Sequence, residues 1–111
     1  DLQIILMSFN WFAVRAFKRL VPGVPRVLLV EHNYPFLGLL TASATAEYIG
    51  PGIELLNKNP RLIEVWRKRG KKIFVWTVDQ PKDVEWCLKK GVEIFVSNFP
   101  DRALKLRREV G

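Results

Sequence analysis

The stretch Lys72-Ile-Phe-Val-Trp-Thr-Val-Asp79, followed by Pro81 and by Gly91-Val-Glu-Ile-Phe-Val-Ser-Asn-Phe-Pro-Asp101, decides the fold. Both apolar runs are short, rich in β-branched and aromatic residues, and bounded by polar residues, which is typical of strands buried on both faces. Pro81 suits the first position of a helix, and Gly91 suits its end. The order strand, helix, strand with short connections predicts a right-handed βαβ unit and a parallel sheet.

The same alternation extends toward the start of the chain. Strands are predicted at residues 2–6, 26–30, 73–78 and 92–96, with a very short one at 48–49. Helices are predicted at residues 11–20, 41–47, 60–69, 81–90 and 100–110. Gly50-Pro51-Gly52 predicts a turn, and Asn59 is expected to cap the helix that begins at Pro60. The pattern fits an open sheet or part of an eight-stranded barrel.

Composition limits the class of protein. With 111 residues, of which 49% are hydrophobic, we expect residues 1–111 to form one domain. No apolar run reaches about 18 residues, so no membrane-spanning helix is predicted. The single cysteine cannot form an internal disulfide. These properties leave the cellular location open.

The net charge of +7 favours phosphates, nucleic acid or an anionic membrane surface as partners. Many of the cations fall in predicted last helical turns, where they interact favourably with the helix dipole. A nucleic-acid stripe would need aromatic residues interleaved with the charge, so no nucleic-acid partner is predicted. Peripheral contact with a membrane stays open, and the alternative function is a non-catalytic basic module that binds phosphate or a membrane surface.

Five segments, in order, resemble the glycerophosphodiester phosphodiesterase family. They are Ser8-Phe9 before a helix that ends at Pro22-Gly23, Val27-Leu-Leu-Val30, Tyr48 to Leu56 with Pro60 and Gly70, Trp76-Thr-Val78, and Gly91 to Pro100. The resemblance covers nearly the whole chain. It implies a TIM-type (β/α)8 barrel of which these parallel βα repeats form the C-terminal part, about strands four to eight.

The resemblance also implies a reaction and a cofactor. The family hydrolyses glycerophosphodiesters to glycerol phosphate and an alcohol, with two histidines as acid and base and a divalent metal, Mg²⁺ or Ca²⁺, on the phosphate. The family's His-Arg-Gly, Glu-Asn-Thr and Glu-x-Asp motifs do not occur here, and the chain has one histidine. We therefore assign no catalytic residue and no metal ligand, and expect the chain to be inactive alone. A barrel without its first strands has open sheet edges, which predicts self-association.

Residues that follow the strands are the candidate site, because TIM barrels place their chemistry at the carboxyl ends of the strands. By resemblance, Phe9 and Trp76 line the substrate pocket, where rings pack on the glycerol or alcohol group. The alternative is a core position, which we favour slightly for Phe9 and hold equal to the pocket position for Trp76.

The remaining candidates have weaker claims. They are Ser8, Glu31, His32, Ser97 and Asn98, together with the strand-exit residues Asn10 and Asp79. His32 is more simply an exposed loop residue, and Asp79 more simply a helix cap. Ser97-Asn98 stands where the family usually has Thr-Asp. Asn98 therefore cannot make any contact that needs the carboxylate of that Asp. Cys87 is predicted to be a small core residue.

Overall fold

The computed structural model describes residues 5–99, 101, 104, 105 and 108. Within these residues, strands and helices alternate along the chain. The strands are β1 (Leu6–Ser8), β2 (Arg26–Val30), β3 (Tyr48–Pro51), β4 (Lys72–Val75) and β5 (Ile94–Phe95). The helices are α1 (Trp11–Leu20), α2 (Leu37–Ala42), α3 (Ile53–Lys58), α4 (Leu62–Lys68) and α5 (Pro81–Lys89). None of the described helices is long and apolar enough to cross a membrane.

The five strands form one parallel sheet in the order β1-β2-β3-β4-β5, which confirms the predicted α/β class. The register pairs Leu6 with Arg26, Val27 with Tyr48, Tyr48 with Lys72, and Phe74 with Ile94. Because every strand runs the same way, all carboxyl ends meet at one edge. That edge is called the carboxyl edge below.

The core lies between the sheet and the helices that cover it. Leu28, Ile49 and Ile73 are fully buried, and Trp66 of α4 is buried with them. The Trp66 indole Nε1 donates to the Thr41 hydroxyl at 2.7 Å, and that hydroxyl donates to the Leu37 carbonyl at 2.6 Å. The largest buried aromatic residue therefore has its polar atom satisfied by α2.

Gly50 lies where β3 comes closest to the side chains of β2. A Cβ added at Gly50 would stand 2.6 Å from Val27 Cγ1 and 2.8 Å from Leu29 Cδ2. The sheet leaves no room for a side chain at this position. Gly91 is required for a different reason, since it ends the turn after α5 at φ 65°.

The helix predictions for α1, α4 and α5 are confirmed, but the predicted turn at residues 50–52, the predicted cap at Asn59 and the predicted helix at residues 41–47 are wrong. Gly50 and Pro51 belong to β3, and α3 follows directly where a turn was expected. Pro51 has no N–H to donate, and the pairing of β3 with β4 stops at Ile49 and Ile73 and resumes only as an isolated bridge between Gly52 and Trp76. The Gly52 N–H still bonds the Val30 carbonyl at 2.9 Å, and the Pro51 carbonyl accepts from the Trp76 N–H at 3.3 Å. Asn59 ends α3, donating from Nδ2 to the Leu55 carbonyl at 3.2 Å, and does not cap α4.

The predicted helix at residues 41–47 is displaced, because α2 ends at Ala42. Lys71 Nζ donates to the carbonyls of Ala44 and Ala46, each at 2.6 Å, which satisfies carbonyls outside a helix. The predicted first strand lies partly outside the described residues, and β1 begins where the prediction ended. In the predicted C-terminal helix, residues 101, 104, 105 and 108 are helical, whereas Pro100, Ala103 and Val110 lie outside the described residues.

Candidate functional site

An aromatic pair stands at the carboxyl edge. The rings of Phe9, which follows β1, and Trp76, which follows β4, meet edge to face, with centroids 5.8 Å apart and an interplanar angle of 88°. Phe9 is 54% exposed, so the core position favoured for it is wrong. Trp76 is half-buried. The two residues thus open on the same end of the strands, although β2 and β3 lie between theirs.

The neighbouring strand β3 holds the Trp76 ring in place. The Trp76 indole Nε1 donates to the Gly50 carbonyl at 2.7 Å, and a Cβ on Gly52 would stand 3.4 Å from the ring atoms Cη2 and Cζ2. The Trp76 carbonyl accepts from the Ile53 N–H at 2.6 Å. Both the ring and its backbone are therefore fixed by the end of β3 and the start of α3.

A cleft of about 270 Å³ lies beside the Trp76 indole. It is lined by Glu31, Gly52, Ile53, Glu54, Leu55, Trp76 and Thr77. The sequence predicted Glu31 and Trp76 and missed the other five lining residues. Four of these come from α3 and its start, where a turn was expected, and the fifth is Thr77. An apolar residue directly after a strand-ending glycine, followed by an acidic residue in a first helical turn, was the available signal.

A polar cluster ties the ends of β4 and β5 together at the carboxyl edge. The Asp79 carboxylate accepts from the Asn98 backbone N–H at 2.8 Å, from Asn98 Nδ2 at 3.1 Å and from the Ser97 hydroxyl at 3.3 Å. The helix-cap prediction for Asp79 is wrong, because Gln80 is the residue that precedes α5. The Asp79 carboxylate points toward the loop that follows β5, because the three hydrogen-bond donors that contact it lie there.

This cluster shows what Asn98 does at the position where the resemblance implies a carboxylate. The Asn98 side-chain amide donates to Asp79, so the single charge of Asp79 is solvated by three hydrogen bonds. A carboxylate at position 98 would face the Asp79 carboxylate across about the same distance, and like charges there repel.

The polar residues after β1 serve the start of α1. The Asn10 side-chain oxygen accepts from the N–H groups of Phe12 at 2.8 Å and Ala13 at 3.3 Å, which makes Asn10 the helix cap. The Ser8 hydroxyl accepts from the Asn10 N–H at 3.0 Å. Both side chains therefore stabilise local structure beside Phe9.

Glu31 and His32 form an exposed pair after β2. His32 Nε2 lies 3.8 Å from Glu31 Oε2, and 88% of the His32 side chain is exposed. The prediction of an exposed loop histidine is confirmed. Within the described residues, no group of three or more His, Cys, Asp or Glu side chains could hold a metal ion. The donors among the described residues therefore do not fit the divalent metal that the resemblance implies.

Cys87 is fully buried on the inner face of α5, as predicted. Burial, aided by the negative charge of Asp83, raises the pKa of its thiol to about 12. At neutral pH the sulfur is protonated and shielded, so Cys87 is not a nucleophile.

Known proteins share both the sequence pattern and the fold. The family model described as "Glycerophosphoryl diester phosphodiesterase family" matches residues 1–102. A glycerophosphodiester phosphodiesterase of Caldanaerobacter subterraneus subsp. tengcongensis is 29% identical over 98% of this chain, which spans 44% of that protein. The chain thus spans less than half the length of this curated relative.

Two solved structures show the same arrangement of strands and helices. A glycerophosphodiester phosphodiesterase of Parabacteroides distasonis matches with a TM-score of 0.78 and 23% identity, over 93% of this chain and 42% of its own. A phosphodiesterase of Oleispira antarctica, solved in complex with the product sn-glycerol-3-phosphate, matches with a TM-score of 0.79 and 17% identity, over 96% and 42%. The five-stranded sheet is consistent with a partial TIM barrel. By the family match, this chain belongs to the glycerophosphoryl diester phosphodiesterase family.

Proposed function

We propose that this chain is the C-terminal part of a phosphoric diester hydrolase that cleaves glycerophosphodiesters to glycerol phosphate and an alcohol. Family membership supports the reaction class, and the sn-glycerol-3-phosphate bound in the Oleispira antarctica protein supports the product. The observation that carries the proposal is the contact between Phe9 and Trp76 at the carboxyl edge. Barrel enzymes place their substrate at that edge.

In this proposal the two rings bind the substrate and do no proton transfer. Neither ring carries a group that titrates near neutral pH, and the one polar atom of the Trp76 side chain is already bonded to Gly50. The exposed face of Phe9 and the cleft beside Trp76 suit the apolar surface of a glycerol or alcohol group. Ser97, Asn98 and Asp79 fix the adjoining loop, and Ser8 fixes the turn that carries Phe9.

We further propose that the 111-residue chain has no activity by itself. Its sequence has one histidine, which is exposed and contacts Glu31 alone among the described ionisable groups. A pair of acid and base groups around a phosphate needs two such side chains within reach of one reacting atom. A divalent metal would need ligands that the described residues do not bring together.

Two measurements test these proposals separately. The purified chain is incubated with glycerophosphocholine and Mg²⁺ or Ca²⁺, and no choline release above buffer is expected; robust metal-dependent release would refute the inactivity. The chain is then grafted in place of the matching segment of the Caldanaerobacter relative. A Trp76→Ala change in the active graft is expected to raise KM about tenfold or more with a smaller loss in kcat, because the ring contributes binding.

The matched control in the graft is Trp86→Ala, an aromatic change of the same size on α5, away from the carboxyl edge. Unchanged KM in the Trp76→Ala graft, or an equal rise in the Trp86→Ala graft, would argue against a substrate-binding role for Trp76.

Self-association of the isolated chain stays a separate proposal. Among the described residues β1 and β5 are edge strands of three and two residues, so each exposes few backbone groups. Size-exclusion chromatography with light scattering tests it, and a monomer with cooperative unfolding would contradict it. The basic-module alternative would need one continuous basic face across residues 67–72 and 102–108, and residues 102, 103, 106 and 107 lie outside the described residues.

A further inference from the structure

The outward side of α1 carries aromatic and cationic side chains and, at its last residue, an exposed leucine. Val14 is buried and Ala13 and Phe17 are half-buried on the inner side. The exposed side chains of α1 are Trp11, Phe12, Arg15, Lys18, Arg19 and Leu20. No Asp or Glu occurs in residues 2–30, so the sequence places no acidic partner near these cations along the chain. We call this set the α1 face.

A groove runs along the α1 face. Its volume is about 570 Å³, and it is lined by Phe12, Arg15, Ala16, Lys18, Arg19 and Thr45. Thr45 follows α2, so the groove is bounded by α1 and by the segment after α2. Three of the six lining residues are cations, and none is acidic. A groove of this size takes a small anionic head group.

The positive field continues beneath α1. The pKa of the Lys71 ammonium is lowered by burial first, and the charges of Lys18 and Arg26 lower it further, against the opposing effect of Glu47. Glu47 already pairs with the buried Arg26. Glu47, although its side chain is 44% exposed, is thus engaged with Arg26. Among the described residues Arg15, Lys18 and Arg19 form no ion pair, so these cations are available to an external anion.

Exposed apolar groups flank these cations at both ends of α1. Phe12 is 82% exposed near the helix start, and Leu20 is 73% exposed at its end, next to the exposed Val21. Aromatic rings and aliphatic side chains beside Arg and Lys are the composition of helices that lie in a bilayer interface. A nucleic acid would use the rings for stacking, but it offers nothing to Leu20 and Val21.

We propose that the α1 face docks this protein on an anionic phospholipid surface. The cations contact the lipid phosphates, and Trp11, Phe12 and Leu20 enter the head-group region. This inference goes beyond the proposed hydrolase function and does not depend on it, because it uses no residue of the carboxyl edge.

Vesicle flotation tests the proposal, since it separates bound protein from any aggregate that stays at the bottom of the gradient. The chain is mixed with vesicles of phosphatidylcholine alone or with added phosphatidylglycerol, at about 0.1 M salt, where the Debye length is about 10 Å. Binding is expected to the phosphatidylglycerol vesicles and not to phosphatidylcholine alone. Equal binding to both, or to neither, would overturn the proposal.

Two triple variants with the same loss of charge locate the surface. Arg15→Gln/Lys18→Gln/Arg19→Gln removes the α1 cations, and Lys58→Gln/Lys68→Gln/Lys90→Gln removes three exposed lysines elsewhere. Each lost cation should weaken partitioning about fivefold, so the α1 variant should bind on the order of 100-fold more weakly. The control variant should stay within about fivefold of the parent. Equal losses would mean a general charge effect and would overturn the proposal.

A last comparison separates a membrane from a nucleic acid. Phe12→Ser/Leu20→Ser should weaken vesicle binding, most visibly at high salt where the charge contribution is screened. Binding to a single-stranded oligonucleotide, measured by fluorescence anisotropy, should be weak and unaffected by the α1 triple variant. Oligonucleotide binding that is tighter than vesicle binding and is lost in that variant would overturn the lipid assignment. Circular dichroism of every variant verifies its fold.

Discussion

Gly50→Ala should destabilise the protein by about 1–3 kcal/mol, because the new methyl group overpacks the space between β2 and β3. That carbon would lie 2.6 Å from Val27 Cγ1 and 2.8 Å from Leu29 Cδ2. Relaxed carbon contacts are about 3.5–4.0 Å, so the strands must separate by several tenths of an ångström or more. At roughly 4–8 °C per kcal/mol, the melting temperature should fall by about 4–24 °C.

The matched control is Gly23→Ala, in the turn after α1. A Cβ at Gly23 meets nothing within 4 Å, and its φ is not in the left-handed region. Alanine there should be neutral or should stabilise by up to about 1 kcal/mol through the unfolded state. Thermal unfolding followed by far-UV circular dichroism measures both variants. A difference of about 2 °C or less between the melting temperatures of the two variants would refute the packing argument, because that is well under the shift expected for 1 kcal/mol.

Three further changes test other parts of the structure. At pH 8, Cys87 should react with a thiol reagent about a thousand times more slowly than an unfolded thiol, because its pKa of about 12 leaves little thiolate. Above pH 9 the unfolded state loses this proton before the folded state does, so the free energy of unfolding should fall as the pH rises toward 12. Asn98→Asp should destabilise by roughly 1 kcal/mol at low salt, since it sets a second carboxylate against Asp79, and 1 M salt should reduce the loss. Thr41→Val should cost about 1–3 kcal/mol, because the buried Trp66 N–H loses its acceptor.

Each of these has an outcome that would count against it. Fast labelling of Cys87 in the native protein, with no dependence on denaturant, would show that α5 does not shield it. A stable Asn98→Asp variant at low salt would mean that the two side chains do not meet. For Thr41→Val, the control is Thr45→Val on the surface, and equal stability losses would show that the Trp66 hydrogen bond contributes little.

Local signals predicted the regular units of the fold and failed at the irregular one. α1 and α5 have clear stop and start residues, Pro22 and Pro81, and both were predicted correctly. α3 lacks a side-chain cap, and its start follows Gly52 directly, so the glycines and proline before it suggested a turn. Its existence depends on long-range bonds from β2 and β4 to the end of β3, which no local pattern records.

The sequence predicted where the site residues lie, but not which side chains they contact. Strand ends marked Phe9, Trp76 and Asn98 as neighbours of the carboxyl edge, because parallel strands share one edge. The role of Asp79 depended on which way a single carboxylate turned, and a helix cap and a strand loop were equally near in sequence. Three donors on the β5 side decided it, and these are contributed from 18 and 19 residues away.

The hydrogen bond from Trp76 to the Gly50 carbonyl has a consequence for how substrate choice could evolve. An indole that is hydrogen-bonded to the backbone of a strand keeps its position when the surrounding loops are exchanged. It is therefore a fixed wall of the cleft, while the other lining residues can vary. In the proposed hydrolase, variation in the alcohol accepted would then arise at other residues of the cleft, Glu31 and Ile53 to Leu55, where side chains change without displacing the sheet. Replacing the ring itself would cost both the wall and a bond that joins two strands.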